Sequence, residues 1–386
     1  MKVALLGYGT VGVGVRQMLL ASPTLEAGPV LVRPGKADES WKVTAMEEIL
    51  DDGEVGAVVE VMGGVDAAYR YAKAALTAGR HFVTANKMLV AAHAPALAAL
   101  AEEKGVAFLF GAACGGGVPF LHNLARAVGS GDDVTALGGI LNGTCNYILD
   151  AMERRGQDFA RALSGAQSLG YAEADPGADL SGLDALRKVV LGCAAAWGLL
   201  PTEGLLREGI ESFTAADVAA LAALGRRCRL MGRAEMQGGR LCALVEPTVC
   251  PAASPAAAVL ENGNLAWYRA KNAGQITLLG QGAGRYPTAS AVLRDLEGIL
   301  EGERSMLPRG CRPCRAEGGL LRRRYYVRCP GSAAAALEAE RHFEGEAGTA
   351  RLLTAPMTPA AIHQWAAARR GAGEEIFFAA WEEEEC

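Results

Sequence analysis

Along the first 110 residues, short apolar runs alternate with stretches whose apolar positions recur every three or four residues. The runs are Val3 to Leu6, Val30 to Val32, Ala57 to Val61, His81 to Thr84 and Ala107 to Phe110. Helical patterns lie between them at Val11 to Leu20, Met46 to Leu50, Asp66 to Ala78 and Ala94 to Lys104. Continuous apolar strands are buried on both faces, which requires helices on either side of a parallel sheet. The pattern predicts an α/β chain whose N-terminal part is a Rossmann-type, doubly wound parallel sheet.

After Phe110 the character changes. Gly111 to Pro119 (GAACGGGVP) is too rich in glycine for regular structure. Helical patterns follow at Pro119 to Val128, Thr144 to Arg154, Phe159 to Leu169 and Asp184 to Trp197. Strand candidates are Val134 to Leu141, Arg229 to Ala234, Leu241 to Val249 and Gln275 to Leu279. Residues 111–280 are therefore predicted to form a second, α+β domain. Pro287 and Thr288 open a helix over Tyr286 to Leu300. The region 306–386 is less patterned: a strand at Tyr325 to Arg328, alanine-rich helix, and a short strand at Glu375 to Trp381. The acidic run Glu382 to Glu385 reads as a solvated end.

Composition narrows the classes. At roughly 100–200 residues per domain, 386 residues make two or three domains. The net charge of −5 argues against a general nucleic-acid binder, and no polybasic run marks a membrane surface. The uncharged stretch from Gly105 to Ala125 is broken by glycines and Pro119, so it is not a membrane span. Ten scattered cysteines, and a strand that begins directly after Met1, lead to the expectation of a cytoplasmic protein with reduced thiols.

Gly7-Tyr8-Gly9-Thr10-Val11-Gly12 fits G-x-G-x-x-G between a predicted strand and a predicted helix. Gly7 permits the tight turn, Gly9 lets a pyrophosphate approach the backbone, and Gly12 lets the helix pack on the strand. The N–H groups opening the helix at Thr10 and Val11, with its dipole, would hold phosphate. An acid some twenty residues on would bind the ribose 2′-hydroxyl of NAD. The sequence there is Val32-Arg33-Pro34-Gly35-Lys36, with no acid. Arg33 and Lys36 would attract a 2′-phosphate, so NADP is expected ahead of NAD.

Three polar stretches remain. Thr84-Ala85-Asn86-Lys87 ends a parallel strand, where ligands sit in such folds. Asn142-Gly143-Thr144-Cys145-Asn146-Tyr147 leads into a helix and is also a plain N-cap turn. Gly170 to Lys188 holds Glu173, Asp175, Asp179, Asp184 and Lys188. Asp184 and Lys188 are i and i+4, on one helix face. A surface ion pair would explain that spacing alone. Several further carboxylates beside one lysine instead suggest a cleft for an ammonium-bearing substrate.

Together GYGTVG, VVEVMGG, TANK, ACGGGVP, ILNGTCNYIL, GYAEADPGAD…GLDALRK and GQGAGRYPTASAVLRDL resemble homoserine dehydrogenase over about residues 1–300. That family interconverts L-aspartate 4-semialdehyde and L-homoserine with NAD(P), on the way to threonine and methionine. The resemblance implies Lys188 as acid/base, Lys87 as a second cation at the aldehyde oxygen, and Asp184 as the group orienting Lys188 and touching substrate. It implies Glu173, Asp179, Lys87 and Thr144 as substrate contacts. It places Gly63, Lys87, Gly170, Gly282 and Gly284 beside the cofactor, with Gly7, Gly9, Thr10, Val11, Gly12, Arg33 and Lys36. It also implies a homodimer through residues 111–280, a nucleotide domain of 1–110 plus about 281–305, and an ACT-like segment within 306–386.

The sequence departs from the family in places. Gly111 stands where a glutamate usually helps bind a monovalent cation. Na⁺ or K⁺ would then rest on the backbone carbonyls of Cys114, Gly116 and Val118. Arg324 to Trp381 is short and alanine-rich for an ACT domain, so threonine feedback is the less expected outcome. Cys311-Arg312-Pro313-Cys314 lacks a second Cys or His pair to complete a zinc set. A reductase of another amino-acid aldehyde, or a non-catalytic nucleotide-binding homologue, stay open as alternatives on the residues alone.

Overall fold

The computed structural model describes residues 1–344 and 348–383. Glu384, Glu385 and Cys386, the end of the acidic run and the tenth cysteine, lie outside the described residues. The chain folds as two compact units, 1–134 with 190–200 and 280–313, and 135–189 with 201–279 and 314–386.

In the first unit the elements run β1 (Lys2–Leu6), α1 (Thr10–Leu20), β2 (Glu26–Leu31), β3 (Lys42–Val43), α2 (Met46–Leu50), β4 (Val55–Glu60), α3 (Asp66–Thr77), β5 (His81–Thr84), α4 (Lys87–Lys104), β6 (Phe108–Leu109) and α5 (Phe120–Gly129). The six strands form one sheet in the order β3-β2-β1-β4-β5-β6, all parallel. This is the doubly wound order whose switch point lies beside β1. Val3 to Leu6, Val58, Val59, Phe82 and Val83 are buried, as continuous apolar strands demand.

The second unit is entered through β7 (Val134–Ile140), α6 (Gly143–Arg155), α7 (Phe159–Ser168), α8 (Gly177–Leu180) and α9 (Leu183–Trp197). Then come β8 (Leu199–Glu203), β9 (Leu206–Arg207), α10 (Ala215–Ala223), β10 (Arg226–Gln237), β11 (Arg240–Pro251), β12 (Gly263–Ala270) and β13 (Gly274–Gln281). Helix α11 (Arg285–Leu300) returns to the first unit and packs on α1. A Cβ on Gly14 would meet Arg285 Cγ at 2.8 Å and Ala289 Cβ at 3.3 Å, so the two helices touch across a glycine.

After β14 (Arg312–Arg315) the end of the chain forms β15 (Arg324–Pro330), α12 (Gly331–Ala334), β16 (Ala339–Phe343), β17 (Thr349–Thr354), α13 (Pro359–Gly371) and β18 (Phe377–Trp381). Its strands lie in the order β18-β15-β17-β16, a β-α-β-β-α-β arrangement. They continue the sheet of β13-β12-β7-β10-β11, because β18 pairs in parallel with β11 at Thr248↔Ala380 and Val249↔Trp381. The β10–β11 hairpin turns at Gly238 and Gly239, both with positive φ, and pairs Gln237 with Arg240. Two left-handed residues are what a tight two-residue hairpin needs.

Candidate active site

In the first unit, Gly9 precedes α1 in an extended conformation and offers no side-chain cap. The first N–H groups of the helix are thus left for a ligand. A Cβ on Gly12 would fall 2.3 Å from Gly7 O, whereas one on Gly9 would meet nothing within 4 Å. The loop is therefore closed toward the strand and open on the side where phosphates would approach. Gly7, at φ +102°, makes the turn. Arg33 and Lys36 are exposed past the end of β2, and the nearby acids Asp38 and Glu39 are engaged by Lys42.

Lys87 is the first residue of α4, not part of a loop before a helix at Ala94. The apolar pattern placed the helix start at Ala94, seven residues too late. The structure keeps Pro95 inside the helix, and Asn86 caps the true start by accepting from the N–H groups of Met88 and Leu89 at 3.2 Å each. Asn86 Nδ2 donates to Gly64 O at 2.5 Å.

Beneath this cap lies a carboxylate the sequence reading passed over, Glu60, fully buried at the end of β4. Its Oε2 accepts from Thr84 Oγ1 at 2.6 Å, and its Oε1 from the N–H groups of Met62 (2.7 Å) and Gly63 (3.2 Å). Thr84 Oγ1 in turn accepts from Asn86 N at 2.9 Å. One acid thus ties the Gly63 loop to the turn that presents Lys87. Its signal was a lone charge within an otherwise apolar strand.

The glycine loop begins with a 3₁₀ turn at Gly111–Ala113. Gly116 lies against the second loop, since its Cβ would sit 2.4 Å from Gly282 O, and Gly117 N donates to Gln281 O at 3.0 Å. Gly284 caps α11 at φ +120°. Asp295, fully buried on α11, accepts from Gly111 N (3.2 Å) and Ala112 N (3.4 Å). Its Oδ1 is 2.8 Å from His122 Nε2, close enough for an ion pair though poorly aligned for a hydrogen bond. Burial pushes the Asp295 carboxyl up from its ordinary value, opposed by His122 and the two N–H groups.

In the second unit, Asp184 is buried near the start of α9 and Lys188 one turn on. Lys188 Nζ is 2.8 Å from Asp184 Oδ2 and donates to Leu141 O at 2.5 Å. Asn142 is buried at the N-cap of α6, its Oδ1 accepting from Cys145 N at 2.8 Å. Its Nδ2 donates to Asp179 Oδ1 and to Asp184 Oδ2, both at 2.8 Å. Asn142, Asp179, Asp184 and Lys188 thus form one cluster, whereas Glu173 and Asp175, also expected beside the lysine, are exposed, Asp175 Oδ1 accepting from Gly177 N at 3.1 Å. The buried Cys145 thiol donates to Asp179 O at 3.1 Å. Burial, then Asp179 and Asp184, push it well above the ordinary thiol range, so it stays protonated and is no nucleophile.

Thr144 donates its hydroxyl to Tyr171 O at 2.6 Å, anchoring the loop that holds Gly170 and Glu173. Glu173 is exposed on that loop, and Gln167 Nε2 donates to its backbone carbonyl at 3.3 Å. Among the described residues no group of three or more His, Cys, Asp or Glu could hold a metal ion. No helix among them is long and apolar enough to cross a membrane.

A G-x-G-x-x-G loop opening a doubly wound sheet that matches an NAD-binding domain, with an acid–lysine cluster in a second unit, marks an NAD(P)-dependent oxidoreductase. The family model for the NAD-binding domain of homoserine dehydrogenase matches residues 7–111, and the homoserine dehydrogenase model matches 119–296. The homoserine dehydrogenase of Corynebacterium glutamicum is 38% identical over 318 residues, covering 77% of this chain and 71% of that one. That of Bacillus subtilis is 34% identical over 319 residues, covering 78% and 73%. The crystal structure of a homoserine dehydrogenase from Thiobacillus denitrificans superposes with a TM-score of 0.88 at 28% identity, covering 99% of this chain and 98% of that one. A Staphylococcus aureus homoserine dehydrogenase gives 0.77 at 27% identity, covering 100% and 99%. The chain belongs to the homoserine dehydrogenase family. It interconverts L-aspartate 4-semialdehyde and L-homoserine with a nicotinamide cofactor.

Proposed function

We propose that Lys188 is the acid/base of this reaction. Reducing an aldehyde requires a hydride and a proton, and the bound nicotinamide supplies the hydride. Lys188 gives the proton to the new hydroxyl, or takes it back in homoserine oxidation. Asp184 holds the lysine at 2.8 Å and Leu141 O fixes a second N–H, so the ammonium is oriented before substrate arrives. Lys87, first residue of the helix that Asn86 caps after the carboxyl end of β5, serves as a second cation for the charge that grows on the carbonyl oxygen. Glu173 and Asp179 bind the substrate ammonium. The observation that carries the reading is the Asp184–Lys188 pair, its acid buried and its lysine mostly so, set one helical turn apart and linked through Asn142 to Asp179.

NADP is the proposed cofactor. Arg33 and Lys36 stand exposed where an NAD-selective acid would be, and Lys42 neutralises the nearest acids. Gly7, Gly9, Thr10, Val11 and Gly12 would cradle its pyrophosphate, with Gly63, Gly170, Gly282 and Gly284 toward its nicotinamide end. The carbonyls of Cys114, Gly116 and Val118 would hold Na⁺ or K⁺ only weakly, because the neighbouring carboxylate Asp295 is already taken up by Gly111, Ala112 and His122. We further propose a cytoplasmic homodimer, formed through residues 111–280, and an ACT-like segment at Arg324 to Trp381 without threonine feedback.

The test follows homoserine-dependent reduction of NADP⁺ and NAD⁺ spectrophotometrically. NADP⁺ is expected to give the higher kcat/KM, and Arg33→Ala to erode that preference by about tenfold, the scale of one lost charge-assisted contact. Lys188→Ala is expected to lose most turnover while its NADP⁺ Kd, followed by fluorescence titration, holds. Equal loss of cofactor affinity would remove Lys188 from the acid/base role.

A further inference from the structure

We propose that Asn142 is a positioning residue for the proton-transfer pair, acting through Asp184 on Lys188. This rests on the reading of Lys188 as acid/base. An N-cap asparagine normally needs only its side-chain oxygen, which here accepts from Cys145 N at 2.8 Å. Its amide nitrogen does something the cap does not require. It donates both of its hydrogens to carboxylates, one to Asp179 Oδ1 and one to Asp184 Oδ2, each at 2.8 Å. The amide cannot be turned the other way, because that would set its oxygen against two carboxylates and its nitrogen against a backbone N–H.

The bridge has two consequences. It holds two like charges near each other with a shared donor, where repulsion would otherwise turn one aside or protonate it. It also shares Asp184 Oδ2 with Lys188 Nζ, which lies 2.8 Å from the same oxygen. A donor on that oxygen withdraws charge from it and so limits how strongly the carboxylate favours the ammonium form of the lysine. The charged groups that act on Cys145 in this cluster are Asp179 on α8, Asp184 and Lys188 on α9, and Glu211, and Arg207 donates to Ser181 Oγ beside it at 2.7 Å. Cys145 stays protonated. Of these groups, only Asp184 and Asp179 accept from the Asn142 amide. The residue preceding Asn142, Leu141, supplies the carbonyl that takes the second lysine N–H. One short segment therefore orients both partners of the pair.

Two substitutions separate capping from bridging. Asn142→Asp and Asn142→Ser both keep an oxygen to accept from Cys145 N. Aspartate brings a further carboxylate in place of the two donors, and serine can donate to one carboxylate only. Homoserine oxidation needs the lysine as free amine, so kcat rises with pH along an acidic limb. Both variants leave more negative charge on Asp184, favour the ammonium, and move that limb to higher pH. We expect a shift of about half a pH unit or more, larger for aspartate, with kcat near neutrality down by about tenfold and the NADP⁺ Kd unchanged. Should Asn142→Asp fail to fold, Asn142→Ser carries the test. A limb that stays in place, whether kcat falls or not, reduces Asn142 to a helix cap and overturns the proposal. Lys188→Ala run in parallel separates the two levels. If it abolishes the limb while the Asn142 variants leave it unmoved, only the Asn142 role fails. If it retains the limb, the Lys188 reading fails and the proposal with it.

Discussion

At position 111 the absence of a side chain is a packing requirement. A Cβ there would lie 2.6 Å from His122 Nε2 and 2.7 Å from Asp295 Oδ1, so this buried pair occupies the space a longer residue would need. A longer side chain at 111 would have to displace that pair, which α5 and α11 supply. The acid carries a pH signature. Burial raises the folded-state pKa of Asp295 above the ordinary 3.8, so the native state binds its proton more tightly than the unfolded chain. The ionised carboxylate then costs stability, fully so above the raised pKa, and the cost is relieved as pH falls toward 3.8. Asp295→Asn keeps an acceptor for Gly111 N without the charge. Its stability relative to the parent, from urea denaturation at several pH values, is expected to be most favourable near neutrality and to decline as pH is lowered. The opposite slope would show that His122 outweighs burial and holds the carboxylate ionised.

Strand β4 shows how an element can be legible while its chemistry is not. Its apolar run marked a buried parallel strand, and Val58 and Val59 are buried as expected. Glu60 at its end was given no role in the sequence reading, yet it anchors the Gly63 loop and the Lys87 turn. Glu60→Ala would strand Thr84 Oγ1 and two backbone N–H groups in the interior and is expected to cost about 3 kcal/mol by chemical denaturation. Glu60→Gln, which retains Oε1 as acceptor, should cost about 1 kcal/mol; equal losses would mean the charge, not the acceptor geometry, is what matters. The glycine loop, α9 and its acid–lysine spacing were legible because each depends on local pattern. Helix α10, capped by Thr214 and Asp217, was missed, as were β12, β16 and β17. The strand β16 alternates poorly and is largely exposed, and β12 carries Arg269 amid apolar residues, so neither shows a clean strand period. The double role of Asn142 was equally hidden, since a cap needs no more than the residue type, whereas the bridge depends on carboxylates 37 and 42 positions away.

In the second unit, the continuous sheet makes the C-terminal strands part of the same cooperative structure as β10 and β11. The parallel pairing of β18 with β11 supplies main-chain bonds, and a buried ion pair adds a side-chain tie. Arg328 Nε lies 3.0 Å from both oxygens of fully buried Asp217, and its Nη2 donates to Ser212 O at 2.7 Å. Asp217 also accepts from Thr214 Oγ1 at 2.8 Å and so belongs to the capping box of α10. Breaking such a pair by removing one partner leaves a buried charge and costs roughly 3–5 kcal/mol. If sheet continuity sets the cooperative unit, Arg328→Met should lower the opening free energy of β18 and of β10–β11 by the same amount. Hydrogen exchange followed by mass spectrometry over a denaturant series measures both segments at once. Loss of protection confined to residues 324–381, with β10 and β11 unchanged, would instead make the final strands a separately opening unit that only borders the sheet.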